Sequence, residues 1–168
     1  MTLLTERETF IRDLNHGRQF ERLAQHHLID YMKKKHNRTF ILEDENDNRE
    51  YDFRIVEPST RRRITVEVKA DRKSRTTGNF FIEYKTGTNK PSGINTTKAC
   101  NYIITDEIDY YLIRTEKIKK MLNNNGFITA GTTGSFINKT TSGTYTRLSS
   151  HGYIVPKAII IERAIKIN

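Results

Sequence analysis

Asp52, Glu67 and Lys69 fall within one stretch of 21 residues, YDFRIVEPSTRRRITVEVKAD. Two carboxylates can hold Mg²⁺, a hard cation that prefers oxygen ligands. A lysine beside them can orient or deprotonate a water and offset negative charge on a phosphate. The chemistry open to such a trio is metal-assisted hydrolysis.

The trio is useful only if local structure brings it together, and the stretch has the pattern to do so. YDFRIV is rich in aromatic and β-branched residues, Pro58-Ser59-Thr60 supplies turn chemistry, and RRITVEVKA alternates strictly. The reading is a β-hairpin. On its second strand Ile64, Val66, Val68 and Ala70 share one face, and Arg63, Thr65, Glu67, Lys69 and Asp71 share the other. The partner strand carries Asp52 to the same hairpin. On a solvated strand face, Glu67 and Lys69 would be no more than a weak surface ion pair.

An Asp on one strand followed by Glu-X-Lys on the next resembles the PD-(D/E)xK nuclease superfamily. Asp52 matches its first aspartate, Glu67 its second acidic residue and Lys69 its lysine, while Tyr51 stands where such families often have proline. The resemblance implies Mg²⁺ (or Mn²⁺) held by Asp52, Glu67 and the Val68 carbonyl, with Lys69 positioning the attacking water. A second stretch, from NFFIEYK through SGINTTKACNY, resembles small phage and prophage nucleases of the same superfamily. There the SGI-x-TT-x-A turn and helix sit near the substrate, which implies DNA contacts at Thr96 and Thr97.

The formal charge of +9 favours a polyanionic partner. The single cysteine, Cys100, excludes an intramolecular disulfide and a zinc site built on several cysteines. No apolar run reaches membrane-spanning length and MTLLTERETF lacks a signal-peptide core. The expectation is a cytoplasmic protein, in the host cell if viral, without a membrane partner.

Residues 5 to about 35 read as a long helix opened by a Thr5–Glu8 capping box, with Phe10, Leu14, Gly17, Ala24, Leu28 and Met32 as its apolar stripe. Gly17 signals a break or a close approach to the sheet. Glu21 interrupts the stripe. A carboxylate there needs a cationic partner, Arg18 or Arg22, a buried backbone group, or a metal nearby. GRQFE resembles the superfamily's helix before the core sheet, which implies a supporting catalytic role for Glu21. KKKHNR, residues 33–38, is a basic helix end. Residues 39–43 read as an edge strand and 43–50 as a solvated acidic turn that lacks EF-hand spacing.

After the hairpin, residues 71–79 form a basic loop in which Arg72, Lys73 and Arg75 can clamp a phosphate backbone. NFFIEYK reads as a third core strand with Phe80, Ile82 and Tyr84 on one face and Phe81 and Glu83 on the other; Lys85 and Lys90 extend the basic surface. Asn95 or Thr96 caps a short helix running to about Asn101, YIITD and YYLIRT are strands, and EKIKKMLNN is a helix. The Gly/Ser/Thr-rich stretch 126–152 reads as a hairpin or flap, and Pro156 stands after a strand or at the start of a last helix.

The expected fold is one α/β domain over residues 1–168: a mixed central sheet of four to five strands with a long N-terminal helix and flanking helices, the restriction-endonuclease-like core that the resemblance implies. The expected function is a Mg²⁺-dependent endodeoxyribonuclease acting as a homodimer. Its size and charge fit both a phage-type, structure-selective enzyme such as a Holliday-junction resolvase and a small restriction-type endonuclease. The alternative is a nucleic-acid-binding module on a nuclease fold that no longer cuts.

Overall fold

The computed structural model describes residues 5–43, 50–139 and 144–168. In chain order the elements are α1 (Glu6–His36), β1 (Ile41–Glu43), β2 (Phe53–Glu57), β3 (Arg62–Ala70), α2 (Ser74–Thr77), β4 (Asn79–Thr86), a 3-10 turn (Gly93–Asn95), β5 (Asn101–Thr105), β6 (Tyr110–Arg114), α3 (Thr115–Asn124), β7 (Thr129–Lys139), β8 (Tyr145–Pro156), α4 (Lys157–Arg163) and β9 (Ile165–Lys166). The acidic turn predicted at 43–50 lies almost wholly outside the described residues.

Helix α1 opens on the expected capping box. The Thr5 N–H donates to Glu8 Oε2 at 2.8 Å and the Glu8 N–H to Thr5 Oγ1 at 3.3 Å. It closes at Asn37, whose left-handed backbone (φ 50°) lets its N–H reach the Lys33 and Met32 carbonyls. The helix is unbroken at Gly17, and a Cβ there would meet nothing within 4 Å, so neither a break nor a close approach is present. A glycine inside a helix costs only about 1 kcal/mol relative to alanine, and a long continuous helix absorbs that. The buried stripe is Phe20, Ala24 and Leu28, while Leu14, expected inside, is 41% exposed.

The main sheet has six strands, more than the four or five expected, in the order β1-β2-β3-β5-β6-β9. β1 is its edge, as the sequence predicts. β2 and β3 form the antiparallel hairpin with Phe53 opposite Val66 and Ile55 opposite Ile64. β3 then pairs in parallel with β5, setting Glu67 beside Tyr102 and Lys69 beside Ile104. One face of this sheet packs Ile55, Ile64, Val66 and Ile103 under α1. The other packs Tyr102, Ile104 and Ile113 against Phe80, Ile82, Val155, α3 and α4. β5 is buried at every position because both of its faces are covered.

NFFIEYK is a strand with the predicted alternation, but it is not a strand of the main sheet. β4 pairs with β8 in a second, three-stranded sheet of order β4-β8-β7. Alternation identifies a strand and its two faces; it does not identify the neighbour. The Gly/Ser/Thr-rich segment supplies the β7–β8 hairpin of that sheet, and Pro156 ends β8 immediately before α4. The helix predicted to run to Asn101 is only the 3-10 turn Gly93–Asn95. Beyond it the chain is irregular, because its polar groups bond outward: Lys98 N–H to the Glu50 carbonyl (2.9 Å) and Cys100 N–H to Thr65 Oγ1 (2.9 Å). Among the described residues no helix is long and apolar enough to cross a membrane.

Candidate active site

Asp52 stands where β2 parts from β3. Its N–H donates to the Val66 carbonyl (3.0 Å), and its Oδ2 accepts from the Val68 N–H (2.6 Å). The side chain thus takes the ladder position that β2 no longer fills. The N–H and C=O of one strand residue point to the same edge, so the Val68 carbonyl leaves β3 on the side of Asp52. Glu67 and Lys69 project from the face shared with Tyr102 and Ile104. Glu67 is fixed by Thr97, whose hydroxyl donates to Oε2 at 2.9 Å. Thr97 in turn is presented by the turn at Gly93, where φ is +51° and a Cβ would lie 2.4 Å from the Glu83 carbonyl oxygen. Only glycine fits that approach.

The electrostatics follow from this crowding. Burial, then the charge of Asp52, pushes Glu67 up to about 7, with Glu21 adding to the rise while the Thr97 hydroxyl and Lys69 oppose it. Asp52 keeps a solvent-exposed edge, yet enclosure of its carboxylate raises its pKa against the Val68 N–H and Lys69. Glu21 is raised by burial and then by Asp52. The buried Tyr102 hydroxyl is held well above its ordinary value by burial and by Glu67, Asp52 and Glu83. Asp52 and Glu67 therefore crowd beside one lysine, and the charge of Asp52 makes those of Glu67 and Glu21 harder to hold.

That is a donor set a cation would relieve. Among the described residues no group of three or more His, Cys, Asp or Glu side chains is arranged to hold a metal; a cation placed here would have Asp52, Glu67 and the Val68 carbonyl as its oxygen donors. Mg²⁺ accepts so sparse a set because it dehydrates reluctantly and keeps several waters.

Glu21 lies within electrostatic reach of both carboxylates. It makes no hydrogen bond or ion pair among the described residues, and Arg18 and Arg22 do not close on it. An ion-pairing glutamate would leave a cation stranded on removal, whereas this one has no such partner. Glu21→Gln is expected to melt at or above the wild-type temperature in chelator, because one enclosed and repelling charge is gone. Loss of several degrees in a thermal melt would instead assign Glu21 to the fold.

The basic residues divide. Arg75 is folded inward: its Nε donates to the Asp106 carbonyl at 2.6 Å and its guanidinium lies 3.5 Å from Glu107, whose other oxygen meets His16 Nε2 at 2.7 Å. Arg72 is exposed and only 3.9 Å from Glu107. Lys73 is exposed and has no ion pair among the described residues. Arg75→Ala is therefore expected to cost about 1–2 kcal/mol of stability, since it strips a partner from an enclosed carboxylate. Lys73→Ala should leave stability unchanged and lower by about 1 the salt slope of the DNA binding expected from the sequence. Denaturant melts and a salt titration of binding separate the two.

Lys85 bonds Asn89 Oδ1 at 3.1 Å and lies over the Tyr84 ring, with Lys90 exposed in the turn that follows. Both sit at the end of β4 away from Asp71. Thr96 is turned to the Gly93 carbonyl (3.2 Å). Thr97, expected at DNA, donates to Glu67.

Beside Lys69 opens a cleft of about 500 Å³ where the end of β3 meets α2 and the β4 face that carries Phe81 and Glu83. Asp71 Oδ2 accepts from the Phe81 N–H (2.8 Å) and ties the two sheets at this point. Sequence reasoning missed the Thr97–Glu67 bond and the place of Tyr102, which depend on the β3–β5 register and have no local signature. Comparison with protein-family models, with curated proteins and with solved structures returned no match.

Proposed function

We propose that the chain is a Mg²⁺-dependent endodeoxyribonuclease that hydrolyses phosphodiester bonds at Asp52, Glu67 and Lys69. What carries the reading is the placing of two mutually repelling carboxylates, one pushed up to about 7, beside a lysine at a cleft mouth. The resemblance of the hairpin to PD-(D/E)xK nucleases and the net charge of +9 point the same way. DNA is the substrate, met in the cytoplasm, and the working unit is a homodimer.

Asp52, Glu67 and the Val68 carbonyl would hold the metal. When bound, Mg²⁺ supplies Lewis-acid polarisation of a phosphate oxygen and a lowered pKa for water. The chain does the rest. The Val68 N–H holds Asp52 and the Thr97 hydroxyl holds Glu67, so neither carboxylate has to be ordered at the moment of reaction. Lys69 orients the attacking water and offsets charge on the phosphate. Glu21 is a positioning residue that holds water beside Asp52.

Linear, flapped and four-way-junction DNAs, with RNA copies of each, test the reading. Cutting of DNA with Mg²⁺ or Mn²⁺, lost in chelator, is expected. Tight binding without cutting of any of them would replace the nuclease by a binding module.

A further inference from the structure

We infer that the cleft beside Lys69 receives a single unpaired base, which makes the substrate of the proposed nuclease site DNA with an unstacked nucleotide next to the bond to be cut. The inference rests on that functional reading, because Lys69 belongs to both. At about 500 Å³ the cleft lies in the range of sites that take a small ligand, about 300–1,000 Å³.

One side of the cleft is an aromatic ring seated on the second sheet. A Cβ on Gly152 would lie 2.6 Å from Phe81 Cζ, so the ring rests directly on the β8 backbone. The Phe81 N–H is fixed by Asp71 Oδ2 at 2.8 Å. Ile154, directly opposite Phe81 in the β4–β8 ladder, adds an apolar wall. A planar, weakly hydrated face is what such a surface binds, and every nucleobase has one.

The flanks and rim complete the fit. Asn79 and Glu83 lie two residues either side of Phe81 on the same face of β4, and both line the cleft. Ser92 holds Glu83 Oε1 at 2.6 Å, which leaves the carboxylate placed to accept from an exocyclic amino group of a base. Lys69 and Lys73 also line the cleft and are its only cations among the described residues. A polyanion carrying a flat face matches both features. A base inside a duplex presents neither face, since both are stacked, and extruding it costs a few kcal/mol. An unpaired base enters without that cost.

The experiment reads binding in chelator, so it does not depend on cutting. Fluorescence anisotropy compares a labelled single strand with its duplex of the same length, for wild type, Phe81→Leu and Phe81→Tyr. Wild type should favour the single strand by about tenfold, against the higher charge density of the duplex, on the strength of one stacked base. Phe81→Leu should lose that preference with duplex binding unchanged, and Phe81→Tyr should keep it.

A second measurement leaves the protein untouched. In strands with a base-free sugar at each position in turn, one position should weaken wild-type binding about tenfold. Equal binding of single strand and duplex, or no sensitive position, overturns the inference. So does competition by free deoxyadenosine monophosphate as strong as by the strand, which would make the cleft a mononucleotide site. Cutting of duplex DNA without strand preference would overturn the base site and leave the nuclease standing. Preference without any cutting would do the reverse.

Discussion

Asp52→Asn and Glu67→Gln each lower Mg²⁺-dependent cleavage by at least about a hundredfold, the scale of removing one preorganised electrostatic group from a reacting centre. Binding to DNA in chelator is unchanged or slightly tighter, because one negative charge near the phosphate is gone. Neither variant is expected to unfold. In Asp52→Asn the new amide still offers an oxygen to the Val68 N–H, which donates to the native carboxylate at 2.6 Å. In Glu67→Gln the amide oxygen can likewise accept from the Thr97 hydroxyl, which lies 2.9 Å from the native carboxylate. The two variants also report on each other. Removing the Asp52 charge takes away the second-largest cause of the rise at Glu67, so in Asp52→Asn the Glu67 carboxyl titrates below about 7. Single-turnover cleavage checks the first effect, and carboxyl chemical shifts followed against pH check the second. Full cleavage by both variants would remove the site from Asp52 and Glu67.

The metal-free protein loses stability as pH rises from about 5 to 8. Glu67 titrates near 7 in the folded chain against 4.5 as the ordinary value. Between those values the native state keeps a proton that the unfolded chain has released, and ionising Glu67 then costs the fold. The contribution is present below 4.5 and gone above 7, with an upper size of about 3 kcal/mol. Asp52 and Glu21, also raised, act with the same sign. His27 acts against it: burial lowers its pKa, so its contribution grows as pH rises toward 6.5. Asp106, Asp109 and Glu43 are depressed and act only below the ordinary carboxylate range. Comparing wild type with Glu67→Gln isolates the one group. Urea unfolding in chelator at pH 5 and pH 8 should show a fall in wild type that the variant largely lacks. Added Mg²⁺ should restore wild type at pH 8, since a ligand bound only by the native state stabilises it, and should do much less for the variant. Parallel pH profiles for the two proteins would mean that Glu67 is not the strained group.

Strand alternation placed Glu67 and Lys69 on one face and Val66 and Val68 on the other, and the hairpin brought Asp52 to them, because these relations need only the period of a strand and a short turn. The Thr5–Glu8 cap and the long helix were legible for the same reason: each depends on residues three or four apart.

What the sequence by itself determined was therefore the local order: which stretches are helix or strand, and which side chains share a face. Tertiary structure alone decided the neighbours. β4 alternates as a core strand would, yet it pairs with β8 more than 60 residues on, and this makes the cleft at Phe81. Arg75 looks like a free cation in its basic run, but Glu107 and the Asp106 carbonyl claim it from the β5–β6 turn. Thr97 reads from the sequence as a substrate contact, and its bond to Glu67, 30 residues away, exists only in the folded chain. The strain on Glu67 arises in the same way, from carboxylates that converge only when α1, β2 and β3 pack together. Periodicity is written into every few residues of a chain, whereas register and burial are settled by which distant surfaces close over one another.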